Sequence, residues 1–230
     1  MKNLRTISGP FSERPYFSDG EIEQICLDEL RKAKLLPDRP SGVRVERFVE
    51  KRFNVTVESA ELGEGILGVT KFGPKGVQGV YVSAALDCDP SMAAKRRVRS
   101  TIAHEAGHCL LHTYLFAVTS GVSLFGDCSE SGAIKVLCRD SEVRSSYRGE
   151  WWEFQANVAM SHLLMPRPLV EIASEPFLVP VGLLGRKQIN PAHYEYAVRF
   201  IADQFEVNPA VSRIRLQSLY SDKEAAQMSL

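Results

Sequence analysis

The chain has 230 residues, 44% of them hydrophobic and 24% charged, with 28 basic and 28 acidic side chains. This length suits one large domain or a domain with an appendage, and the composition excludes disordered and membrane-spanning classes of protein. The zero net charge provides no bulk attraction to nucleic acid. Because the N-terminus lacks the apolar stretch of a signal peptide, we expect a cytoplasmic protein whose five cysteines are thiols.

The chain begins with two predicted helices. Ser18 and Glu21 have the spacing of a capping box, in which each side chain satisfies a backbone amide of the other residue. Apolar residues follow at helical spacing, so a helix is predicted over 19–34. A second helix is predicted over 42–53.

Strands are predicted next. A short strand covers 55–57, and two longer ones over 65–72 and 77–82 flank the tetrapeptide Gly-Pro-Lys-Gly. This tetrapeptide has the composition of a hairpin turn. The pattern therefore predicts a small twisted sheet in this part of the chain.

The remaining elements are mostly helical. Asp89 and Pro90 have the pattern of an N-cap and a first-turn proline, which predicts a long helix from there to about residue 116. Residues 117–149 show no period and are predicted to form an irregular insertion. Further helices are predicted over 150–165, where Pro166 and Pro168 are interpreted as the end of the helix, and over 190–205 and 208–220.

The last two helices have the arrangement of a helix-turn-helix pair. Their charges balance, with three arginines against three acidic residues over 192–220. A DNA-reading helix usually has a basic surface, so we expect this segment to serve packing or protein contact rather than DNA binding.

The strongest chemical signal is the pentapeptide from His104 to His108, an HExxH motif. Its spacing puts both imidazoles on one helix face, one turn apart, where they can share a metal ion. Glu105 is rotated by about 100° from His104 and therefore lies beside the metal, where its carboxylate can take a proton from an attacking water. The alternative is a helix with two surface histidines and an ordinary glutamate.

A catalytic zinc needs a third protein ligand. The metzincin pattern would place a histidine ten residues after the first one, but that position is Tyr114. Glu153, on the predicted helix 150–165, is the other candidate, and Asn157 lies one turn further on the same face, where it can accept a hydrogen bond from a ligand imidazole. The alternative is that Glu153 is a solvated helix residue. His112 continues the histidine row and is interpreted as a supporting residue, and His162 is expected to face away.

These two stretches, 99–112 and 153–166, resemble the paired motifs of the ImmA/IrrE family of zinc metallopeptidases. That family combines a "T-x-A-H-E-x-G-H-x-x-L-H" helix with an "E-x-x-A-N-x-x-A-x-x-L-L-M-P" helix, and the resemblance extends over 80–166 and to a tail over 201–219. It implies an α+β, zincin-like and gluzincin-like fold, with a small twisted β-sheet over the HExxH helix and a helical C-terminal segment. The implied roles are one Zn²⁺ per chain, held by His104, His108 and Glu153, and Glu105 as the general base.

The resemblance also implies an organisation and a function. We predict a metallopeptidase domain over 1–189, with the insertion at 117–149, and a helical, helix-turn-helix-like segment over 190–230. Members of the family are cytoplasmic proteases that act on helix-turn-helix repressors in stress responses or mobile elements. The predicted function is a zinc-dependent endopeptidase that cleaves such a repressor and relieves repression, with no nucleic-acid or membrane partner. The alternative is a non-catalytic metal-binding module with a regulatory or antitoxin-like role.

Zincin-type sites generally take their substrate as an extended strand against a sheet edge. The hairpin over 65–83 immediately precedes the metal helix, so we expect one of its strands to form that edge. The insertion 117–149 connects the two metal-binding helices, and we expect it to overhang the cleft and to restrict the range of substrates.

Overall fold

The first helix begins at the predicted capping box. In the computed structural model, which describes residues 2–5, 13–73, 75–118, 134–139, 151–182 and 185–220, helix α1 spans Asp19–Lys32. The Ser18 hydroxyl accepts the amide of Glu21, and the Glu21 carboxylate accepts the amide of Ser18, which confirms the capping box. An antiparallel pair that the sequence pattern did not predict precedes this helix: β1 (Lys2–Arg5) and β2 (Glu13–Tyr16).

The central sheet has four strands. Helix α2 (Val45–Phe53) leads into β3 (Val57–Ala60), which begins two residues later than predicted. The predicted hairpin is confirmed as β4 (Ile66–Gly73) and β5 (Gly76–Ser83). With β6 (Ile134–Arg139), the strand order is β3-β5-β4-β6, in which β3 is parallel to β5 and the other pairs are antiparallel.

Strand β6 lies inside the segment 117–149, for which irregular structure was expected. That expectation is wrong for these six residues, because their backbone pairs with β4 from Ile66 opposite Arg139 to Phe72 opposite Ile134. A strand this short gives too few residues for a period to be recognised, and its partner is about 65 residues away in sequence. The other residues of the predicted insertion from 119 onward lie outside the described part of the chain.

The long helix before this segment is divided at both ends. The structure has α3 (Ala84–Asp87), α4 (Met92–Leu111) and α5 (Thr113–Val118), where one helix over 89–116 was predicted. Ser91, and not Asp89, is the N-cap of α4, because its hydroxyl accepts the amide of Ala94 at 3.1 Å. The Asp89 carboxylate instead accepts the amide of Ser91 at 2.8 Å, which forms the turn before the cap.

The C-terminal third contains both predicted and unexpected elements. The predicted helices are confirmed as α6 (Trp151–Leu164), α8 (Tyr194–Gln204) and α9 (Pro209–Tyr220). Helix α7 (Arg167–Ser174) was not predicted, because Pro166 and Pro168 were interpreted only as the end of α6. A proline is equally suited to a first helical turn, and Pro168 has that position in α7. The antiparallel pair β7 (Leu178–Val181) and β8 (Arg186–Ile189) was also missed.

Helix α4 lies at the centre of this α+β architecture. It contacts strands β4 and β5 on one side and helix α6 on another. Buried apolar residues on both sides of residue 190, among them Ile102, Leu163, Ile201 and Leu216, belong to one core cluster. Among the helices of the described ranges, none combines the length and the apolarity that a membrane crossing requires.

Candidate metal centre

Three donor atoms meet between helices α4 and α6. The Nε2 atoms of His104 and His108 are 3.0 Å apart, and the Glu153 carboxylate lies 3.0 Å from His104 Nε2 and 3.3 Å from His108 Nε2. All three residues are buried, so His104 and His108 are not surface histidines and Glu153 is not a solvated helix residue. In the described part of the chain, no other group of three or more His, Cys, Asp or Glu side chains is arranged to hold a metal ion.

The spacing of these donors fits a tetrahedral ion. Zinc–ligand bonds of about 2.0–2.1 Å at tetrahedral angles place neighbouring donors about 3.3 Å apart. The separations of 3.0–3.3 Å come close to that spacing. Two imidazoles and one carboxylate leave the fourth tetrahedral position for a water or a substrate, which is the composition of a catalytic rather than a structural zinc site.

The second nitrogen of His104 is fixed by a helix α6 side chain. Its Nδ1 lies 3.0 Å from the Oδ1 atom of Asn157, so the sequence prediction for Asn157 is confirmed. An amide oxygen can only accept a hydrogen bond, so Nδ1 carries the proton and donates it. When the ring is neutral, the lone pair of His104 is therefore on Nε2, the atom that faces His108 and Glu153.

A longer chain of hydrogen bonds fixes His108. The chain starts at the carbonyl of Pro15, which accepts the Gln155 amide at 3.0 Å, so the Gln155 oxygen is left to accept from His112 Nε2 at 3.0 Å. Because Nε2 of the neutral His112 ring then carries the proton, its Nδ1 accepts from His108 Nδ1 at 3.0 Å. These hydrogen bonds place the ring proton of His112 on Nε2 and that of His108 on Nδ1. The lone pair of the neutral His108 ring is therefore on Nε2. The interpretation of His112 as a supporting residue is confirmed.

The pKa values in the metal-free centre reflect this arrangement. Burial alone would lower the pKa of His104, but the hydrogen bond and the negative charge of Glu153 outweigh it and raise the pKa to about 9. Burial acts to raise the pKa of Glu153, but the two histidines outweigh it and hold that pKa well below its usual range. Burial and the neighbouring His108 lower the pKa of His112 to about 3, which keeps its ring neutral.

Glu105 is enclosed by the sheet. Its Oε2 accepts the hydroxyl of Thr70 on β4 at 2.5 Å, and its Oε1 is buried without a hydrogen-bond partner among the described residues. A Cβ atom at Gly68, two residues earlier on the same face of β4, would lie 2.7 Å from that Oε1. Complete burial raises the pKa of Glu105, because the charged form is less well solvated there.

The residues around Glu105 and Gln155 did not follow from the sequence. Thr70 and Gly68 are separated from Glu105 by more than 30 residues, and no motif spacing connects them. The one local signal is that Gly68 and Thr70 are two residues apart on a strand, so both positions face the same helix. His162 faces away from the centre as expected, with its Nε2 3.3 Å from the Asp19 carboxylate.

The expected sheet edge is not formed by the hairpin. Strand β5 lies between β3 and β4, and β4 lies between β5 and β6, so the outer strands of the described sheet are β3 and β6. The backbone of β6 pairs with the two β4 positions that contact Glu105: Val136 lies opposite Thr70, and Cys138 lies opposite Gly68. Strand β6, from the segment between helices α4 and α6, thus pairs with β4, and the prediction that a strand of the hairpin forms the sheet edge is wrong for the described sheet.

Neither the protein-family models nor the curated proteins with which the sequence was compared give a significant match.

Proposed function

We propose that this protein is a zinc-dependent endopeptidase with a zincin-like fold, of the type found in the ImmA/IrrE family. The observation that carries the proposal is the pairing of a three-donor group with a glutamate that is not part of it. His104, His108 and Glu153 form the donor group, while Glu105 is buried beside it with one unpartnered carboxylate oxygen. A purely structural metal site has no use for such a base.

The fold of the described residues supports this assignment. A small mixed sheet lies over the helix that carries both histidines, and a second helix brings the glutamate to them. Gly107 lets the two helices approach closely, since a Cβ at this position would lie 2.9 Å from the carbonyl oxygen of Ala156.

The residues of the site have different roles in the proposed reaction. A zinc ion held by His104, His108 and Glu153 would lower the pKa of water to about 7 and polarise the substrate carbonyl. Glu105 then takes the proton of the attacking water and delivers it to the leaving amine. Its raised pKa suits this role, because a base that also has to act as an acid works best when its pKa approaches the working pH. The Thr70 hydroxyl holds the carboxylate in place.

The proposed substrate is a helix-turn-helix repressor, by resemblance to the family. An extended segment such as the linker between two domains can pair its backbone with a sheet edge, while a folded domain cannot.

The test of this function is the substitution Glu105→Gln. It removes the base but no metal ligand, so the variant should keep one zinc per chain by elemental analysis and lose at least about a hundredfold in the rate of peptide cleavage. The test substrate is a purified helix-turn-helix repressor, and cleavage is followed by mass spectrometry. Glu61→Gln, which changes an exposed glutamate, is the matched control and should cleave like the wild type.

Other outcomes would contradict the proposal. If the zinc-loaded wild type binds the repressor without cutting it, the protein is the non-catalytic module considered above. If Glu105→Gln cleaves as fast as the wild type, the role of Glu105 is wrong. If Glu153→Ala retains zinc with undiminished affinity, the ligand assignment is wrong.

A further inference from the structure

A cavity of about 520 Å³ has His104, one of the three donor residues, in its wall. Its apolar lining includes Leu67 from β4, Leu86 from α3, Met160 from α6 and Val211 from α9, together with alanines of α4. Its volume falls within the range of about 300–1,000 Å³ that is typical of small-molecule sites. It therefore has room for a large side chain together with the adjoining main chain.

The charges of the lining do not favour a charged ligand. Asp89 and Arg97 both contribute to the wall, and their opposite charges cancel. Ser100 and Thr101, one turn before His104 on helix α4, add two small hydroxyl groups to the cavity wall. The remaining surface is mostly apolar, so the free energy of filling it comes from burying apolar groups.

We infer that this cavity is the subsite for a large apolar side chain, such as Leu or Phe, on a residue next to the bond that is cut. The inference rests on the proposed peptidase function and deepens it by naming the class of substrate. Because His104 belongs both to the donor group and to the cavity wall, a peptide held at the metal centre places a neighbouring side chain at the cavity.

Helix α9 gives the cavity a wall that can be altered without touching the metal centre. Ala210 lines the cavity near the start of α9 and is exposed, so a larger side chain there fills the cavity without disturbing the core. Ile214 lies one turn further along the same helix, is 64% exposed and does not belong to the lining. The substitutions Ala210→Trp and Ile214→Trp therefore form a matched pair. Ala93→Phe, at another exposed lining residue on α4, is a second filling variant.

The experiment measures binding separately from cleavage. The probes are fluorescein-labelled decapeptides of Ala, Gly and Ser in which one central residue is Ala, Leu, Phe or Asp. Their dissociation constants are measured by fluorescence anisotropy on zinc-loaded Glu105→Gln protein, which holds the peptide without cutting it. We expect the Leu and Phe peptides to bind at least about tenfold more tightly than the Ala peptide, and the Asp peptide to show no gain. Ala210→Trp and Ala93→Phe should abolish this preference at unchanged zinc content and melting temperature, and Ile214→Trp should preserve it.

The possible failures can be told apart. The inference is overturned if no peptide binds, if all bind equally, or if the preference survives both filling variants. If the preference is present but the zinc-loaded wild-type protein cleaves neither the peptides nor the repressor, the subsite assignment is supported and the proposed peptidase function is wrong. If the wild type cleaves without regard to apolar residues, the peptidase function stands and the subsite assignment falls.

Discussion

At the scale of single residues, the metal-free centre holds a proton that a metal ion would have to displace. The pKa of His104 is raised to about 9, so this ring is charged at neutral pH, while the lowered pKa of Glu153 leaves that carboxylate ionised. The proton on His104 stabilises the metal-free fold fully below the unfolded pKa of about 6.5, and this stabilisation is lost as the pH rises through about 9.

Zinc binding should therefore release about one proton from His104 at pH 7.5, and zinc affinity should rise with pH until about pH 9. Titration calorimetry in buffers of different ionisation enthalpy measures the proton count. His193→Ala, at an exposed histidine, should leave this count unchanged. A count of zero in the wild type would contradict the charged state of His104.

The hydrogen-bond chain behind His108 leads to a second prediction. His112→Phe removes the acceptor for His108 Nδ1, so the ring loses its fixed orientation and tautomer, and zinc affinity should fall about 10–100-fold. His112→Gln keeps an acceptor and a donor at this position and should recover part of the loss. Competition against a fluorescent chelator measures both constants. Equal zinc affinity in the wild type and in His112→Phe would show that the chain does not support the ligand.

At the scale of elements, the contact between helices α4 and α6 determines whether the three donors meet. A Cβ at Gly107 would lie 2.9 Å from the carbonyl oxygen of Ala156 and 3.1 Å from the Cβ of Ala159. A backbone oxygen cannot rotate away as a flexible side chain can, so Gly107→Ala has to push α6 outward, and Glu153 moves with it.

We expect Gly107→Ala to lower the free energy of unfolding by about 1–3 kcal/mol, with an intrinsic helix preference for alanine of about 1 kcal/mol acting in the opposite direction. Zinc affinity should fall by about tenfold or more, because a displaced Glu153 no longer completes the donor group. Gly20→Ala in helix α1 is the matched control, since nothing lies within 4 Å of a Cβ there, and it should unfold at the same or a slightly higher denaturant concentration. Wild-type zinc affinity in Gly107→Ala would show that the close approach is not needed.

The elements that the sequence predicted are those whose signals are local. The capping box of α1 and the histidine spacing on α4 both lie within one helical turn, and both are confirmed. Helix α7 was missed because a proline pair that can begin a helix was interpreted only as the end of the previous one. Strand β6 was missed because its pairing with β4 is a contact between distant parts of the chain.

At the scale of the whole molecule, the same limit applies to the centre itself. The histidine pair follows from the spacing on one helix, whereas Glu153 and Asn157 were joined to it by the resemblance of two helical motifs to a known family. The partners of Glu105 and Gln155 come from β4 and from the N-terminal pair, across 35 residues for Thr70–Glu105 and 140 residues for Gln155–Pro15. No pattern in the sequence indicates which strand packs on which helix, so these contacts can be identified only in the folded structure.

Arg215 connects the C-terminal helix to the rest of this assembled fold. It is buried at 2% exposure on α9, where its guanidinium donates to the carbonyl of Met165 at 3.2 Å and to the Glu23 carboxylate of α1 at 3.0 Å. Burial lowers the pKa of this arginine, and Glu23 opposes that effect. The pair thus joins the first and last described helices across the end of α6.

Removing this guanidinium should lower the stability of the whole molecule. Arg215→Met fills a similar volume but leaves the Glu23 carboxylate with two longer contacts, to His162 at 3.7 Å and to Arg167 at 3.8 Å. We therefore expect the free energy of unfolding to fall by about 3 kcal/mol in urea denaturation. Arg213→Met, two residues earlier on the same helix, breaks an exposed ion pair with Glu195 and a cation–π contact with Tyr194, and should have a much smaller effect. Because α9 also lines the cavity beside His104, Arg215→Met should in addition weaken the binding of the Leu decapeptide. If Arg213→Met and Arg215→Met unfold at the same urea concentration, the buried pair does not hold α9 in place, and the position of that cavity wall must depend on the apolar core around Leu216 alone.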